Sequence, residues 1–130
     1  DLGSNALGAI GARAIAEALK DNATLESLNL MANDLRPAGG RAMAQALYAN
    51  RSLKELNLER NGLGEEGGSA LAEAADASAL QTLFVSGNGM PEHMEEYIKV
   101  ALARRPKERM EWLEEIDVPQ TQWNVERSTR

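Results

Sequence analysis

Residues Leu53–Gly67 read LKELNLERNGLGEEG, with leucines at Leu53, Leu56, Leu58 and Leu63, an asparagine at Asn61 and a glycine at Gly67. The same pattern precedes this stretch as Leu25, Leu28, Leu30, Asn33, Leu35 and Gly39. It follows as Leu80, Leu83, Val85, Asn88 and Met90, and its second half opens the chain as Leu2, Asn5, Leu7 and Gly11. The asparagines Asn5, Asn33, Asn61 and Asn88 stand 28, 28 and 27 residues apart. A fixed period in the twenties marks a repeat array, in which each unit buries its apolar face against its neighbours.

Two periodicities alternate inside each unit. Leu28-Asn29-Leu30 switches between apolar and polar with period two, which predicts a short half-buried strand, repeated at Leu56–Leu58 and Leu83–Val85. Ala12, Ile15, Ala16 and Leu19 fall at helical spacing, so Gly11–Asp21 reads as an amphipathic helix with Asn22 as its stop. Comparable helices are expected over about 37–49, 65–77 and 91–104. Pro37 suits a first helical turn, where its missing N–H leaves no bond unmade, and Pro106 ends the last helix. Met31–Asp34 turns the chain between strand and helix. One residue fewer at the end of the third unit accounts for the 27-residue step.

The asparagine column follows each strand, where the backbone turns inward. An inward amide can bond the N–H and C=O groups of the turn, and leaving such a group buried and unpaired costs roughly 1–3 kcal/mol. These asparagines therefore read as structural rather than catalytic. Gly11, Gly39 and Gly67, and then Ala14, Ala42 and Ala70, form small-residue columns that let helix and sheet backbones approach. The fourth copy breaks both columns with Met94 and Tyr97, which suits a terminal unit with no next neighbour. The organisation is repeats over 1–105, a cap or degenerate repeat over 106–116, and a polar tail over 117–130. KERMEWLEEI at 107–116 reads either as a fifth strand, keeping the Leu80–Leu83 spacing at Met110 and Leu113, or as a short amphipathic helix. The tail has no period, and reads as a surface segment unless it docks through Trp123.

LESLNLMANDL at 25–35, LKELNLERNGL at 53–63 and LQTLFVSGNGM at 80–90, each followed by an alanine-rich helix, resemble the leucine-rich repeat family. Within it they look like the long-repeat subfamily of ribonuclease inhibitor, NOD-like receptors and the Ran GTPase-activating protein. The resemblance covers about residues 1–105. It implies an α/β solenoid, a right-handed β–α superhelix forming a horseshoe segment, with parallel strands on the concave face and helices on the convex face. Ribonuclease inhibitor is cysteine-rich, and this chain has no cysteine.

Composition bounds the function. A net charge of −6 argues against a nucleic-acid surface, which needs a basic stripe, and favours a basic protein partner. The absence of cysteine removes disulfides and thiolate chemistry and fits a reducing, cytoplasmic setting. No apolar run reaches the ~18–20 residues of a membrane span. The chain opens inside a repeat, so it is expected to be a segment of a longer protein. His93 is the one histidine and reads as a solvated helix residue; no second histidine or cysteine completes a zinc site. Gly62-Leu63-Gly64 and Gly87-Asn88-Gly89 are repeat turns without the phosphate-loop lysine or the dinucleotide fingerprint. No catalytic residue, cofactor or metal ligand is assigned, and the chain reads as non-enzymatic.

What remains is the strand face that points away from the core. It offers Ser27, Asn29 and Met31, then Glu55, Asn57 and Glu59 with Arg60 at the edge, then Thr82, Phe84 and Ser86. Trp112 extends it if a fifth strand forms. The partner-binding set is thus Asn29, Met31, Glu55, Asn57, Glu59, Arg60, Thr82, Phe84 and Trp112. The leading expectation is a protein-interaction module. The alternatives are a structural segment of a large assembly, such as a cytoskeletal one, and a GTPase-activating regulator. The last is implied only by resemblance, with Asn29, Asn57 and Arg60 as counterparts.

Overall fold

The computed structural model describes residues 1–103. Trp112, the cap expected at 106–116 and the tail at 117–130 lie outside the described residues. In chain order the elements are α1 Gly8–Asp21, β1 Ser27–Asn29, α2 Arg36–Ala49, β2 Glu55–Asn57, α3 Gly64–Ala77, β3 Thr82–Phe84 and α4 Glu92–Ala103. The strands form one parallel sheet in the order β1-β2-β3. Its register places Leu28 beside Leu56 and Leu56 beside Leu83. The repeat is thereby an α/β solenoid: each strand is followed by a helix that returns the chain to the next strand.

The core is aliphatic and continuous. Leu28, Leu56 and Leu83 point inward from the strands, and Leu30, Leu58 and Val85 continue those rows. Leu35, Leu63 and Met90 close them from the turns, against Met43, Leu47, Leu71 and Ile98 of the helices. Fully burying one such side chain contributes roughly 1.5–3 kcal/mol.

Each strand sits one residue earlier than its alternation suggests, because the period-two pattern runs on into the turn. The ladder runs on as well: the Leu30 N–H donates to Asn57 O at 2.8 Å and the Leu58 N–H to Phe84 O at 2.8 Å. The first three helices also start sooner, α1 at Gly8 rather than Gly11. The N–H groups of Gly8, Arg36 and Gly64 donate to the carbonyls of Asn33, Asn61 and Asn88, which pins each turn and winds the helix at once. Those three residues have φ of +67°, +65° and +66°. The fourth unit has Pro91 in that column. Proline can neither adopt positive φ nor donate an N–H, and α4 begins one residue later, at Glu92.

The asparagine column forms a ladder between repeats. The Asn61 side-chain N–H₂ donates to Leu30 O, Leu58 O and Glu59 O at 2.9, 3.0 and 3.1 Å. Its Oδ1 accepts the N–H of Asn33 at 2.8 Å and of Leu35 at 3.4 Å. Asn33 and Asn88 bridge the junctions on either side of it in the same way. Sequence reasoning placed the amides on their own turns; they also tie each turn to the one before it.

The glycine columns do something other than expected. A Cβ on Gly39 would stand 3.0 Å from Ala12 Cβ and 2.8 Å from Leu35 Cβ, and one on Gly40 would stand 3.2 Å from Gly67 Cα. The small residues thus set helix-to-helix approach across neighbouring repeats, together with the tight run from turn to helix, rather than helix-to-sheet approach. A second ladder lies at the opposite end of the helices. Asn50 donates to Leu19 O and Asn22 O and accepts from Ser52 and Leu53. Ser78 holds the third place, where its shorter side chain caps the shorter turn through the Leu80 N–H. The 27-residue step is absorbed there.

Candidate protein-binding surface

The parallel register turns the outward residues of the strands into rows. Ser27, Glu55 and Thr82 form one row, and Asn29, Asn57 and Phe84 the next. Met31, Glu59 and Ser86 extend the face just past the strand ends. All eight described members of the expected set lie on this face or at its margin, and Arg60 stands in the following turn with φ +55°.

Two kinds of group are presented here. Asn29 and Asn57 each accept a backbone N–H two residues on, from Met31 at 3.0 Å and Glu59 at 2.9 Å. This local turn fixes both side chains, whose N–H₂ groups donate to no acceptor among the described residues. It also makes them a repeated structural device, which weakens any reading of them as special to a GTPase. Glu55 accepts only the Ser27 hydroxyl at 3.5 Å, and Glu59 accepts the Ser86 hydroxyl. The ion pairs among the described residues lie elsewhere: Lys20–Glu17, Arg36–Asp34, Arg41–Glu66 and Lys54–Glu26. The strand face thus carries two carboxylates that form no ion pair among the described residues, beside an aromatic ring. Phe84 is 44% exposed, so it is not taken up by the core.

Other surfaces are less suggestive. A depression of about 650 Å³ lies where the helices turn into β1 and β2 and mixes Lys20, Arg51 and Lys54 with Asp21 and Glu26. A convex groove of about 300 Å³ between α3 and α4 is lined by Ala72, Met94, Tyr97 and His93. On the neighbouring helix surface, partial burial and then the charge of Glu73 push the Tyr48 phenol above its ordinary range. Among the described residues no group of acidic or histidine side chains is arranged to hold a metal, and no helix is long and apolar enough to cross a membrane.

The Leucine Rich repeat family pattern matches residues 21–44 and again 49–72. Those two segments match leucine-rich repeats. No curated protein matches it. Chains of solved structures that match include Leiomodin-1 Actin-Binding Site 2, with 25% identity and a TM-score of 0.65. That match covers 95% of this chain and 66% of the leiomodin chain. The solenoid is therefore shared, while the other chain extends further.

Proposed function

We propose that this chain is a non-enzymatic protein-interaction module that binds a protein partner through the strand face of its leucine-rich repeats. The observation that carries the reading is the cluster of Glu55 and Glu59, both without a cation, beside the outward Asn29 and Asn57 amides and the exposed Phe84. Aromatic anchors ringed by polar groups are what protein interfaces use, and two free carboxylates favour a basic partner over nucleic acid or an anionic membrane. The 28-residue period with a full helix per unit supports the long-repeat, ribonuclease-inhibitor-like subfamily, and the cysteine-free sequence supports a cytoplasmic setting.

A second reading is favoured by the comparison with leiomodin, whose matching part is an actin-binding site: the chain is a segment of a cytoskeletal assembly, with actin as the first partner to try. Co-sedimentation with actin filaments and native-gel shift with monomeric actin test it. In the same assays a variant carrying Asn57→Ala, Glu59→Ala and Phe84→Ala is expected to lose binding with little change in its thermal melt. A second variant reverses charge on the convex side, at Arg41 and Glu73. Binding that survives the first variant and fails with the second would move the contact to the helices and overturn the strand-face reading.

A further inference from the structure

Among the described residues the sheet ends at β3, on a row of free donors. At the preceding junctions the N–H of Leu30 and of Ala32 reach Asn57 O and Glu59 O, and those of Leu58 and Arg60 reach Phe84 O and Ser86 O, all at 2.8 to 3.0 Å. Val85 and Gly87 hold the next places in these two columns. Among the described residues their N–H groups have no acceptor. Beside them lies a cleft of about 220 Å³, lined by Leu83, Val85 and Ile98 together with Glu59, Glu95 and Lys99.

The helix layer ends differently. The residues of α2 and α3 that face the following helix are small: Gly40 and Ala44, then Gly68 and Ala72. The same positions of α4 are Glu95 and Lys99. A further complete repeat, or the α1 end of a second copy, would have to bury both charges, and a buried ion pair recovers its desolvation penalty only with excellent geometry. The strand layer is open to an addition that the helix layer opposes. What fits is a strand with no helix behind it.

We propose that the β3 edge binds an extended segment of a partner protein as an added parallel strand, one whose side chains alternate apolar and basic. Strand addition supplies main-chain hydrogen bonds at Val85 and Gly87, and alternate side chains supply selectivity. The inward side chains meet the apolar wall of Leu83, Val85 and Ile98. The outward ones meet Glu59 beside Phe84. Two carboxylates against the one ammonium of Lys99 give the cleft its preference for a basic segment. The site is the edge of the sheet rather than its face, so it goes beyond the strand-face reading, and either can fail alone.

The test uses the full chain and the hexapeptide Ac-Lys-Val-Lys-Val-Lys-Val-NH₂, with amide exchange followed residue by residue. In the free chain Val85 and Gly87 should exchange fast, and saturating peptide should slow both about tenfold or more. Binding should weaken with salt and in a Glu59→Gln/Glu95→Gln variant, and vanish for the all-glutamate analogue and for a peptide N-methylated at its central lysine, whose backbone N–H faces the edge. Glu55→Lys, which strikes the strand face, should leave peptide binding intact. Should the double variant not fold, the salt series and the N-methylated peptide decide. The proposal is overturned by no peptide binding, by binding that leaves Val85 and Gly87 unprotected, or by equal binding of the N-methylated peptide. Protection of both amides in the free chain also overturns it, because the chain's own later residues would then hold the edge.

Discussion

Asn61 and Asn5 are the same residue at the same place in the same turn, and the structure gives them very different environments. Asn61 is buried, with five hydrogen bonds from its amide, three of them into the preceding unit. Asn5 is exposed, and its amide donates only to Leu2 O and Gly3 O of its own turn. The bonds that Asn61 makes backwards are ones for which the described chain offers Asn5 no counterpart. A repeat residue is therefore worth what its neighbours make of it. The expected stability changes follow: Asn61→Ala strands the Asn33 and Leu35 N–H groups in the interior and takes one of two amide donors from each of the Leu30 and Leu58 carbonyls, and should cost about 3 kcal/mol or more. Asn5→Ala should cost well under 1 kcal/mol, as exposed substitutions do. Chemical denaturation of both variants checks this, and equal losses would break the comparison.

The helix layer sharpens the same contrast at the other end. Gly40 lies against the Gly67 backbone between α2 and α3, while Glu95 holds its place on α4 with no further helix among the described residues. Gly40→Leu forces two helices apart and should cost about 2 kcal/mol, within the usual range for overpacking a core. Glu95→Leu should stay within about 0.5 kcal/mol, the ordinary range for surface changes. A matched loss at both positions would mean that the α4 surface is covered in the folded protein, which denaturation midpoints of the two variants would reveal.

The fold was legible because its cause is local and repeated. Leu53, Leu56 and Leu58 declare a strand, Asn61 a turn and Leu71 a helix, and three further copies repeat the statement. Register was legible for the same reason, since equal periods align Leu28, Leu56 and Leu83. What could not be read was whatever depends on two copies at once. The glycine columns looked like helix-to-sheet contacts, and only the packed pair shows Gly40 meeting Gly67. Asn22 looked like a helix stop, and only stacking shows the equivalent Asn50 reaching back to Leu19 and Asn22. The strand-face set was found by alternation alone, yet alternation cannot show that Lys54 pairs with Glu26 and leaves Glu55 without a cation. The charged pair Glu95 and Lys99 carried a signal that was missed. Aligning it with Gly40 and Ala44 shows that the small-residue packing positions of α2 and α3 are charged in α4.

The smallest expected effect concerns the left-handed turn positions. Ala32 has φ +58° and Ala6 has φ +51°. A Cβ in that region costs roughly 1–2 kcal/mol relative to right-handed backbone, while glycine there carries no such penalty but has more freedom to lose on folding, by roughly 0.4–1 kcal/mol. The two terms oppose, and the strain term is the larger. Ala32→Gly should therefore stabilise the chain by about 0.5–1 kcal/mol. A control fixes the sign: Ala14, exposed within α1, has ordinary helical geometry, and Ala14→Gly should destabilise by about 1 kcal/mol. The end turn then completes the comparison. Ala6 carries the same strain, but its turn is tied to the rest on one side only, through Asn29, Met31 and Asn33. If that turn opens before the interior unfolds, relieving its strain changes local opening and not the global transition. Ala6→Gly should then leave the denaturation midpoint near that of the parent while Ala32→Gly raises it. Equal gains at the two positions would show that the first turn unfolds together with the interior repeats.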